Sequence, residues 1–221
     1  MDGRMIKAAP TGNVDELERL MREDTLVRDS VALLGAQTPL HIASLCGHVS
    51  FFRTTNIETE EAICGRDGTL PLHCASLKGR IHVMTALLSA APLTIRAKTS
   101  RGETPLHIAV KNYQFDAVKF LMKYAKTLKM ERGVLNDKDN QANTVLHLVA
   151  SMKQYQILDI VLGEDDVAMV VNSVNERGMT PLDLTLEVGD LNIYKCLVKA
   201  GAKSGKDIEN ENEISVPIRN C

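Results

Sequence analysis

Four of the six histidines stand in the same short phrase, and by residue type they could ligate a metal ion or act as general bases. They are His41, His73, His107 and His147. A zinc site needs three or four such side chains at one point, and a catalytic base needs a nucleophile within hydrogen-bond reach. Single histidines on successive helices, whose axes pack about 8–10 Å apart, cannot converge on one ion. We therefore expect these rings to be structural and hydrogen-bonded inside the fold.

The segment Gly201–Asp207 (GAKSGKD) has the residue types of a phosphate-binding loop but not its spacing. Only three residues separate its glycines, and Asp207 stands where a Ser or Thr would hold magnesium. The five cysteines form no C-x-x-C pair, and the sequence has no nucleophile-elbow, zinc-protease or dinucleotide motif. We therefore expect no catalytic residue, no bound metal and no cofactor.

The charge balance excludes nucleic acid as a direct ligand. The 221 residues carry 26 Lys and Arg against 28 Asp and Glu, with four Tyr, four Phe and no Trp. Such a chain lacks both the positive field that neutralises phosphates and the aromatic side chains on which bases stack. No apolar run is long enough to cross a membrane, and the first ten residues lack the apolar core of a signal peptide. We expect a cytoplasmic protein, monomeric by default, with no membrane span of its own.

A six-residue phrase recurs five times and predicts where short helices begin. Its copies are Thr38–Ala43, Leu70–Ala75, Thr104–Ala109, Thr144–Val149 and Thr180–Thr185. Their second residues lie 32, 34, 40 and 36 residues apart, which is close to a 33-residue period with a lengthened third unit. Thr suits the N-cap of a helix and Pro suits its first turn, so each phrase predicts a helix start.

The residues around each phrase complete a helix–turn–helix unit. Gly47, Gly79 and Gly189 follow the phrase where a left-handed cap would end the first, or inner, helix. A second apolar stretch at helical spacing then predicts an outer helix. Turn residues lie two positions before the first residue of each phrase and predict the tips of hairpin loops. These are Gly68, Gly102 and Gly178, with Ala36 and Ala142 as substitutes.

This pattern resembles the ankyrin-repeat family, and the resemblance implies an all-α solenoid of stacked helix–turn–helix units joined by hairpin loops. We expect an N-terminal capping repeat over residues 1–34, five ankyrin repeats over 35–202 with the third lengthened, and a disordered polar tail over 203–221. We also expect a frayed outer helix near Thr54–Glu60, because Thr54, Thr55 and Asn56 are poor helix formers.

The lengthened third unit and the Lys153–Gln156 phrase further resemble plant ankyrin proteins that carry a C-terminal Pro-Gly-Gly membrane domain, which is absent from this sequence. The likeness implies a role in defence or stress signalling, at the cytosolic face of a membrane through a partner. Two alternatives stay open. The chain could be a shortened form of a membrane-anchored ankyrin protein, or a regulatory or inhibitory subunit that masks a partner enzyme.

The resemblance also implies a non-catalytic scaffold or adaptor whose concave surface binds a protein partner of unknown identity. The implied contacts are hairpin residues and the ends of inner helices: Leu45, Arg66, Leu77, Lys78, Arg101, Glu103, Lys111, Asn112, Gln141, Asn143, Met152, Arg177, Met179, Glu187 and Val188. Leu45, Leu77, Met152 and Val188 are apolar where a solvated repeat would carry polar residues. They are either anchors for the partner or scattered surface hydrophobic residues.

Overall fold

The structure, a computed structural model, describes residues 39–50, 65, 67–163 and 170–214. Within these ranges the chain forms eleven α-helices and one 3-10 helix, and no β-strand. The predicted capping repeat over residues 1–34 and the predicted frayed helix at Thr54–Glu60 lie outside the described residues. The chain divides into two compact units, residues 1–125 and residues 126–221.

Short inner helices alternate with outer helices in unit 1. The elements are α1 (Pro39–Cys46), α2 (Pro71–Leu77), α3 (Ile81–Ala90), a 3-10 helix (Pro92–Arg96), α4 (Pro105–Lys111) and α5 (Phe115–Thr127), whose last two residues pass the unit boundary. Helix α2 packs on α1, on α4 and on its own outer helix α3. Leu72 and Leu106, the leucines of two phrases, are buried where these helices meet. The phrase therefore supplies the core between inner helices.

Unit 2 repeats this arrangement. Its helices are α6 (Glu131–Asn136), α7 (Val145–Ser151), α8 (Tyr155–Leu162), α9 (Pro181–Glu187), α10 (Leu191–Lys199) and α11 (Gly205–Ile214). The inner helices α7 and α9 pack on each other, and they pack on the outer helices α8 and α10, respectively. Helix α6 lies within the predicted lengthening of the third repeat. The extra residues of that repeat therefore include helix as well as loop.

The prediction of a disordered tail is wrong over Gly205–Ile214, which forms helix α11. Ser204 explains how this polar segment begins a helix. Its Oγ accepts a hydrogen bond from the Asp207 N–H at 3.2 Å and donates one to Asp207 Oδ2 at 2.7 Å. Such a side-chain cap satisfies the free N–H groups of a first turn, which composition alone does not reveal. Residues 215–221 lie outside the described part of the chain.

The inner helices begin as the phrase predicts. The Thr104 and Thr180 hydroxyls accept hydrogen bonds from the N–H groups of His107 and Asp183, three residues on, and a proline follows each threonine. In the second repeat Leu70 stands in place of Thr and has no hydroxyl. There the His73 ring alone caps the turn, accepting the Leu70 N–H on Nδ1 at 2.9 Å.

Left-handed backbone ends every described inner helix at the same place in its repeat. Gly47, Gly79 and Gly189 have φ of 90°, 63° and 68° and confirm the predicted caps. Tyr113 and Lys153 hold the equivalent positions at φ of 56° and 57°. A residue with a Cβ pays about 1–2 kcal/mol for this conformation. The turn is therefore set by the packing of the helices around it, and glycine only makes it easier to form.

Candidate protein-binding surfaces

The histidines of the phrase are hydrogen-bonded within the fold, and His73 and His147 use both ring nitrogens. Nδ1 of His107 and of His147 accepts the N–H of the helix-capping Thr104 and Thr144, at 3.3 and 3.1 Å. Nε2 of His73 and of His147 donates to a carbonyl of the next repeat, Ala97 O at 3.0 Å and Met179 O at 3.1 Å. His41 Nε2 donates likewise to Thr69 O at 2.7 Å. The predicted structural role is confirmed for His41, His73 and His147.

Burial favours the neutral form of three of these rings. It lowers the pKa of His73 to about 4 and that of His147 to about 4, against an ordinary value of 6.5. Burial also lowers the pKa of His41 and raises that of the Cys74 thiol to about 11. A thiol with so high a pKa is protonated at neutral pH and is a poor nucleophile. These buried groups therefore stabilise the fold and are poorly suited to catalysis.

The described residues hold neither a metal-binding cluster nor a membrane-spanning helix. No group of three or more His, Cys, Asp or Glu side chains among them is placed to hold a metal ion. No helix in the described ranges is long and apolar enough to cross a membrane.

The hairpins before the inner helices are closed by backbone hydrogen bonds that recur from repeat to repeat. Thr99 N–H donates to Glu103 O at 3.0 Å, Asp139 N–H to Asn143 O at 3.0 Å, and Asn175 N–H to Met179 O at 3.0 Å. In each unit a further bond joins neighbouring hairpins, from Ser100 N–H to Asp67 O at 2.7 Å and from Glu176 N–H to Gln141 O at 3.0 Å. The exposed hairpin tips are thus held in place by their own backbone.

Side chains at the base of three hairpins fix the tips further. Asp139 Oδ1 and Asn175 Oδ1 each accept two backbone N–H groups, those of residues two and four positions on, at 2.9–3.1 Å. Thr99 Oγ1 accepts the equivalent pair at 3.3 Å. Gly65 occupies this position in the second repeat and has no side chain to contribute. The hairpin of the second repeat is therefore the least supported of the four described.

The predicted contact residues lie at two places in each repeat. Lys78, Asn112, Met152 and Val188 are the C-cap residues of the four inner helices α2, α4, α7 and α9. Leu77, Lys111 and Glu187 are the last residues of three of these helices, and Leu45 lies in the last turn of α1. Arg101, Glu103, Gln141, Asn143, Arg177 and Met179 lie in hairpins, and Arg66 is outside the described residues.

Ion pairs bring these two places together. Lys111 Nζ pairs with Glu103, and the Arg177 guanidinium pairs through two nitrogens with both carboxylate oxygens of Glu187. Each pair joins a hairpin to the end of the inner helix in the same repeat, with the charges reversed between the repeats. Hairpin and helix end therefore form one surface in repeat three and one in repeat five.

Glu103 differs from the prediction. It is 8% exposed and its carboxylate binds Lys111, so it positions that lysine and offers little area to a partner. The backbone of Met179 is also in use, since its carbonyl accepts His147 and its N–H donates to Asn175. We name the remaining exposed or half-buried predicted residues by unit. The unit 1 surface is Leu45, Leu77, Lys78, Arg101, Lys111 and Asn112, and the unit 2 surface is Gln141, Asn143, Met152, Arg177, Met179, Glu187 and Val188.

The four apolar residues predicted as possible anchors are half-buried, and neighbouring polar groups contact two of them. Arg80 Nε donates to Leu45 O at 3.1 Å, and the Gln154 amide lies 3.6 Å from Met152 Sδ. Each of the four residues therefore keeps part of its surface exposed. This falls between the two alternatives of full anchors and of isolated surface residues.

The repeats of this sequence match a known protein family. A family model of ankyrin repeats in three copies matches residues 54–132 and 92–171, together more than half of the chain. The chain belongs to the ankyrin-repeat family. Ankyrin repeats generally mediate contacts between proteins, and catalysis in proteins that contain them resides in other domains. The hairpins and inner-helix ends described above are therefore parts of ankyrin repeats.

Several ankyrin proteins are similar to this chain. Over 99% of its length the chain is 24% identical to the target of rapamycin complex 2 subunit AVO2 of Saccharomyces cerevisiae, of which it covers 51%. It is 27% identical to the nuclear factor NF-kappa-B p105 subunit of Rattus norvegicus over 64% of this chain and 14% of that protein. It is 26% identical to the poly(ADP-ribose) polymerase tankyrase of Caenorhabditis elegans over 77% of this chain and 8% of that protein. The chain thus spans about half of AVO2 and far less of the other two.

Sequence reasoning missed the residues that hold the surfaces in place. Asp139 and Asn175 are not contact residues, yet they fix the hairpins that carry Gln141, Asn143 and Arg177. Asn175 also donates to Asn143 Oδ1 at 2.9 Å and so orients one predicted contact directly. A signal for them was present, because Asp, Asn and Thr recur three residues before the tip residue of three hairpins.

Proposed function

We propose that this chain is a non-catalytic adaptor that binds a partner protein through its hairpin tips and inner-helix ends. The proposal rests chiefly on the exposed pair Arg177–Glu187, whose side chains are 62% and 44% exposed. An ion pair this exposed contributes at most about 1 kcal/mol to the fold. Both groups can therefore be redirected to a partner at small cost, while the locked hairpin keeps them in place for binding.

The chemistry of the two surfaces suits a polar, mixed-charge partner with a few apolar contacts. Arg101, Arg177 and Lys78 offer cations, Glu187 offers a carboxylate, and Gln141 and Asn143 offer amides. Half-buried Met152 and Val188 supply apolar area on the unit 2 surface. Protein interfaces commonly combine such an apolar centre with a polar rim, and arginine is enriched among the residues that dominate their affinity.

Charge reversal tests the surfaces. A partner identified by cross-linking and mass spectrometry is captured on the immobilised chain, and its affinity is then measured for Arg177→Glu and Arg101→Glu. We expect each variant to weaken binding by about tenfold or more, as loss of an interfacial arginine does. Lys119→Glu and Lys195→Glu make the same charge change at exposed positions on outer helices and serve as controls. Equal affinity for all four variants would place the partner elsewhere.

A regulatory or inhibitory subunit is the second candidate, and the names of two relatives favour it. AVO2 and p105 are both named as subunits. The activity of the captured partner separates the two candidates. An adaptor leaves the partner's turnover unchanged at saturating concentration of this chain, whereas an inhibitory subunit abolishes it.

The finer assignment is to defence or stress signalling in a plant, near the cytosolic face of a membrane. It is supported by the lengthened third repeat and the Lys153–Gln156 phrase. A shortened form of a membrane-anchored ankyrin protein is the corresponding alternative. A reading frame that continues past Cys221 into apolar segments would support that alternative, and a stop codon directly after Cys221 in every transcript would count against it.

A further inference from the structure

Tyr113 stands in a backbone conformation that a tyrosine adopts only at a cost. It follows the C-cap residue of inner helix α4 and has φ of 56°. At the equivalent place repeats one, two and five have glycine. Left-handed backbone brings the Cβ of other residues close to the following carbonyl oxygen, and it is uncommon above all for bulky side chains. The ring of Tyr113 is therefore present at an energetic cost to this turn.

The side chain of Tyr113 contributes little to the fold in return. It is 65% exposed, and its hydroxyl makes no hydrogen bond to any residue that the structure describes. Its backbone N–H donates to Val110 O at 3.0 Å, and its carbonyl accepts the Phe115 N–H at 3.1 Å. A glycine would make these two bonds as well. The ring is thus available to a molecule other than this chain.

The turns that join inner to outer helices lie side by side in the first three repeats of unit 1. The Arg80 side chain lies over Gly47 of the preceding turn, where a Cβ would come within 3.2 Å of Arg80 Cδ. Gln114, the neighbour of Tyr113, lies over Gly79 in the same way. These three turns therefore form one continuous edge. We name residues 45–48, 77–80 and 111–114 the turn edge of unit 1.

The turn edge of unit 1 is positively charged. It contains Lys78, Arg80 and Lys111 and no Asp or Glu. Lys78 and Arg80 are exposed, whereas Lys111 pairs with Glu103. An acid follows in the first turn of helix α5, where Asp116 is exposed. Two exposed cations therefore accompany the exposed ring at this edge.

The equivalent turns of unit 2 have the opposite balance. Residues 151–154 and 187–190 carry Glu187 and Asp190 against Lys153. Like charges opposed across an interface weaken it, and opposite charges select the partner. An anionic segment therefore fits the turn edge of unit 1 and does not fit the turns of unit 2.

We propose that the turn edge of unit 1 binds an acidic segment of the partner protein, with Tyr113 packed against an apolar side chain of that segment. This inference rests on the proposed function. Carboxylates of the segment pair with Lys78 and Arg80, and the rigid ring offers a large contact area while losing little conformational entropy. An anionic lipid surface is a poorer fit, because lipid recognition takes clusters of about four to eight basic residues.

Peptide selection on the full chain tests the proposal. A displayed library of random peptides is selected on the immobilised protein, and we expect Asp and Glu beside an apolar residue to be enriched. The affinity of one selected peptide is then measured by fluorescence anisotropy. Tyr113→Gly and Lys78→Glu should each weaken binding by about tenfold, and added salt should weaken binding to the wild type.

Two control variants match these changes. Lys153→Gly likewise replaces a left-handed residue by glycine, in the fourth repeat, and should bind the peptide as the wild type does. Lys119→Glu makes the charge change of Lys78→Glu at an exposed position on outer helix α5.

The stability of the Tyr113→Gly variant separates a role in binding from a role in the fold. Glycine adopts the turn conformation more easily, so the melting temperature should rise by about 2 °C while the affinity falls. A residue with a merely structural role would lose stability and affinity together.

Four results would overturn the proposal. Selection would enrich no acidic peptides, or Tyr113→Gly would bind the selected peptide as tightly as the wild type. Lys153→Gly would weaken binding as much as Tyr113→Gly, which would indicate an effect of backbone freedom. Alternatively, the chain would bind vesicles of phosphatidylcholine and phosphatidylserine but no peptide, which would assign the edge to a lipid surface.

The captured partner distinguishes failure of this inference from failure of the proposed function. If Arg101→Glu and Arg177→Glu weaken capture and Tyr113→Gly does not, only the inference fails. If neither arginine variant changes the affinity, the proposed function fails.

Discussion

The second and fifth repeats share one sequence pattern, but their inner helices contact different neighbours. In the second repeat His73 donates Nε2–H to the Ala97 carbonyl of the next repeat, and Leu88 is fully buried. In the fifth repeat Asp183 replaces the histidine and accepts the Gly205 N–H at the start of helix α11. A carboxylate is an acceptor only, whereas a neutral ring with Nδ1 occupied offers a donor. The group presented by the neighbour therefore decides which side chain fits this position.

The largest expected effect concerns the apolar side chains of the two repeats. Leu88→Ala should lower the free energy of unfolding by about 2–5 kcal/mol, since the side chain is fully buried and its removal leaves a cavity. Leu186→Ala makes the same chemical change where the leucine is 57% exposed, and it should stay within about 0.5 kcal/mol of the wild type. Urea unfolding measures both free energies. Similar losses in the two variants would mean that the Leu186 side chain is covered in solution.

The second-largest expected effect on the free energy of unfolding concerns the exchange of His and Asp at the fourth residue of the phrase. Asp183→His would set a ring N–H against either Gly205 N–H or Thr180 N–H, because one nitrogen must carry the proton. One buried donor is then unsatisfied, at a cost of about 1–3 kcal/mol. Asp183→Asn keeps a carbonyl oxygen for these donors and is the matched control, with a smaller loss. His147→Asp is the reverse exchange and sets a carboxylate against the Met179 carbonyl, with a similar cost. Equal stability of the Asp183→His and Asp183→Asn variants would contradict this account.

The presence of Asp183 in place of a histidine shows which features of the fold could be predicted from the sequence. The recurrence of the phrase was enough to predict the inner helices, their threonine caps and the buried histidines, because each depends on residues a few positions apart. Asp183 in a histidine position was visible as a departure, but its reason was not. That reason lies in Gly205, 22 residues further on, which is the first residue of helix α11 and donates its N–H to Asp183.

The candidate surfaces were predictable in position and less so in detail. Counting from the phrase placed Lys111, Arg177 and Glu187 at helix ends and hairpins, where the structure has them. It could not show that Glu103 folds back onto Lys111 and becomes buried, since the two residues are eight positions apart and meet only across the hairpin. Exposure and pairing depend on three-dimensional neighbours that residue spacing does not specify.

The smallest expected effect is the dependence of the unfolding free energy on pH, and it arises at the buried histidine positions. Burial holds the pKa of His73 and of His147 at about 4 in the folded protein, against 6.5 for an ordinary histidine. Between these values the unfolded chain binds more protons, so stability should fall as the pH drops from 6.5 toward 4 and should not change from this cause above 6.5. The slope is at most about 1.4 kcal/mol per pH unit for each ring.

Carboxylates also titrate in this range, so the histidine contribution must be measured as a difference between variants. His147→Gln removes one buried ring, and its unfolding free energy should depend on pH less steeply than that of the wild type, by up to about 1.4 kcal/mol per unit. His82→Gln makes the same substitution at an exposed position on outer helix α3 and serves as the control for the substitution itself. Urea unfolding of the three proteins in half-unit steps between pH 7 and 4.5 gives the slopes. Parallel curves for all three would show that His147 binds its proton over the same pH range in the folded and the unfolded chain, which would contradict the lowered pKa of this ring.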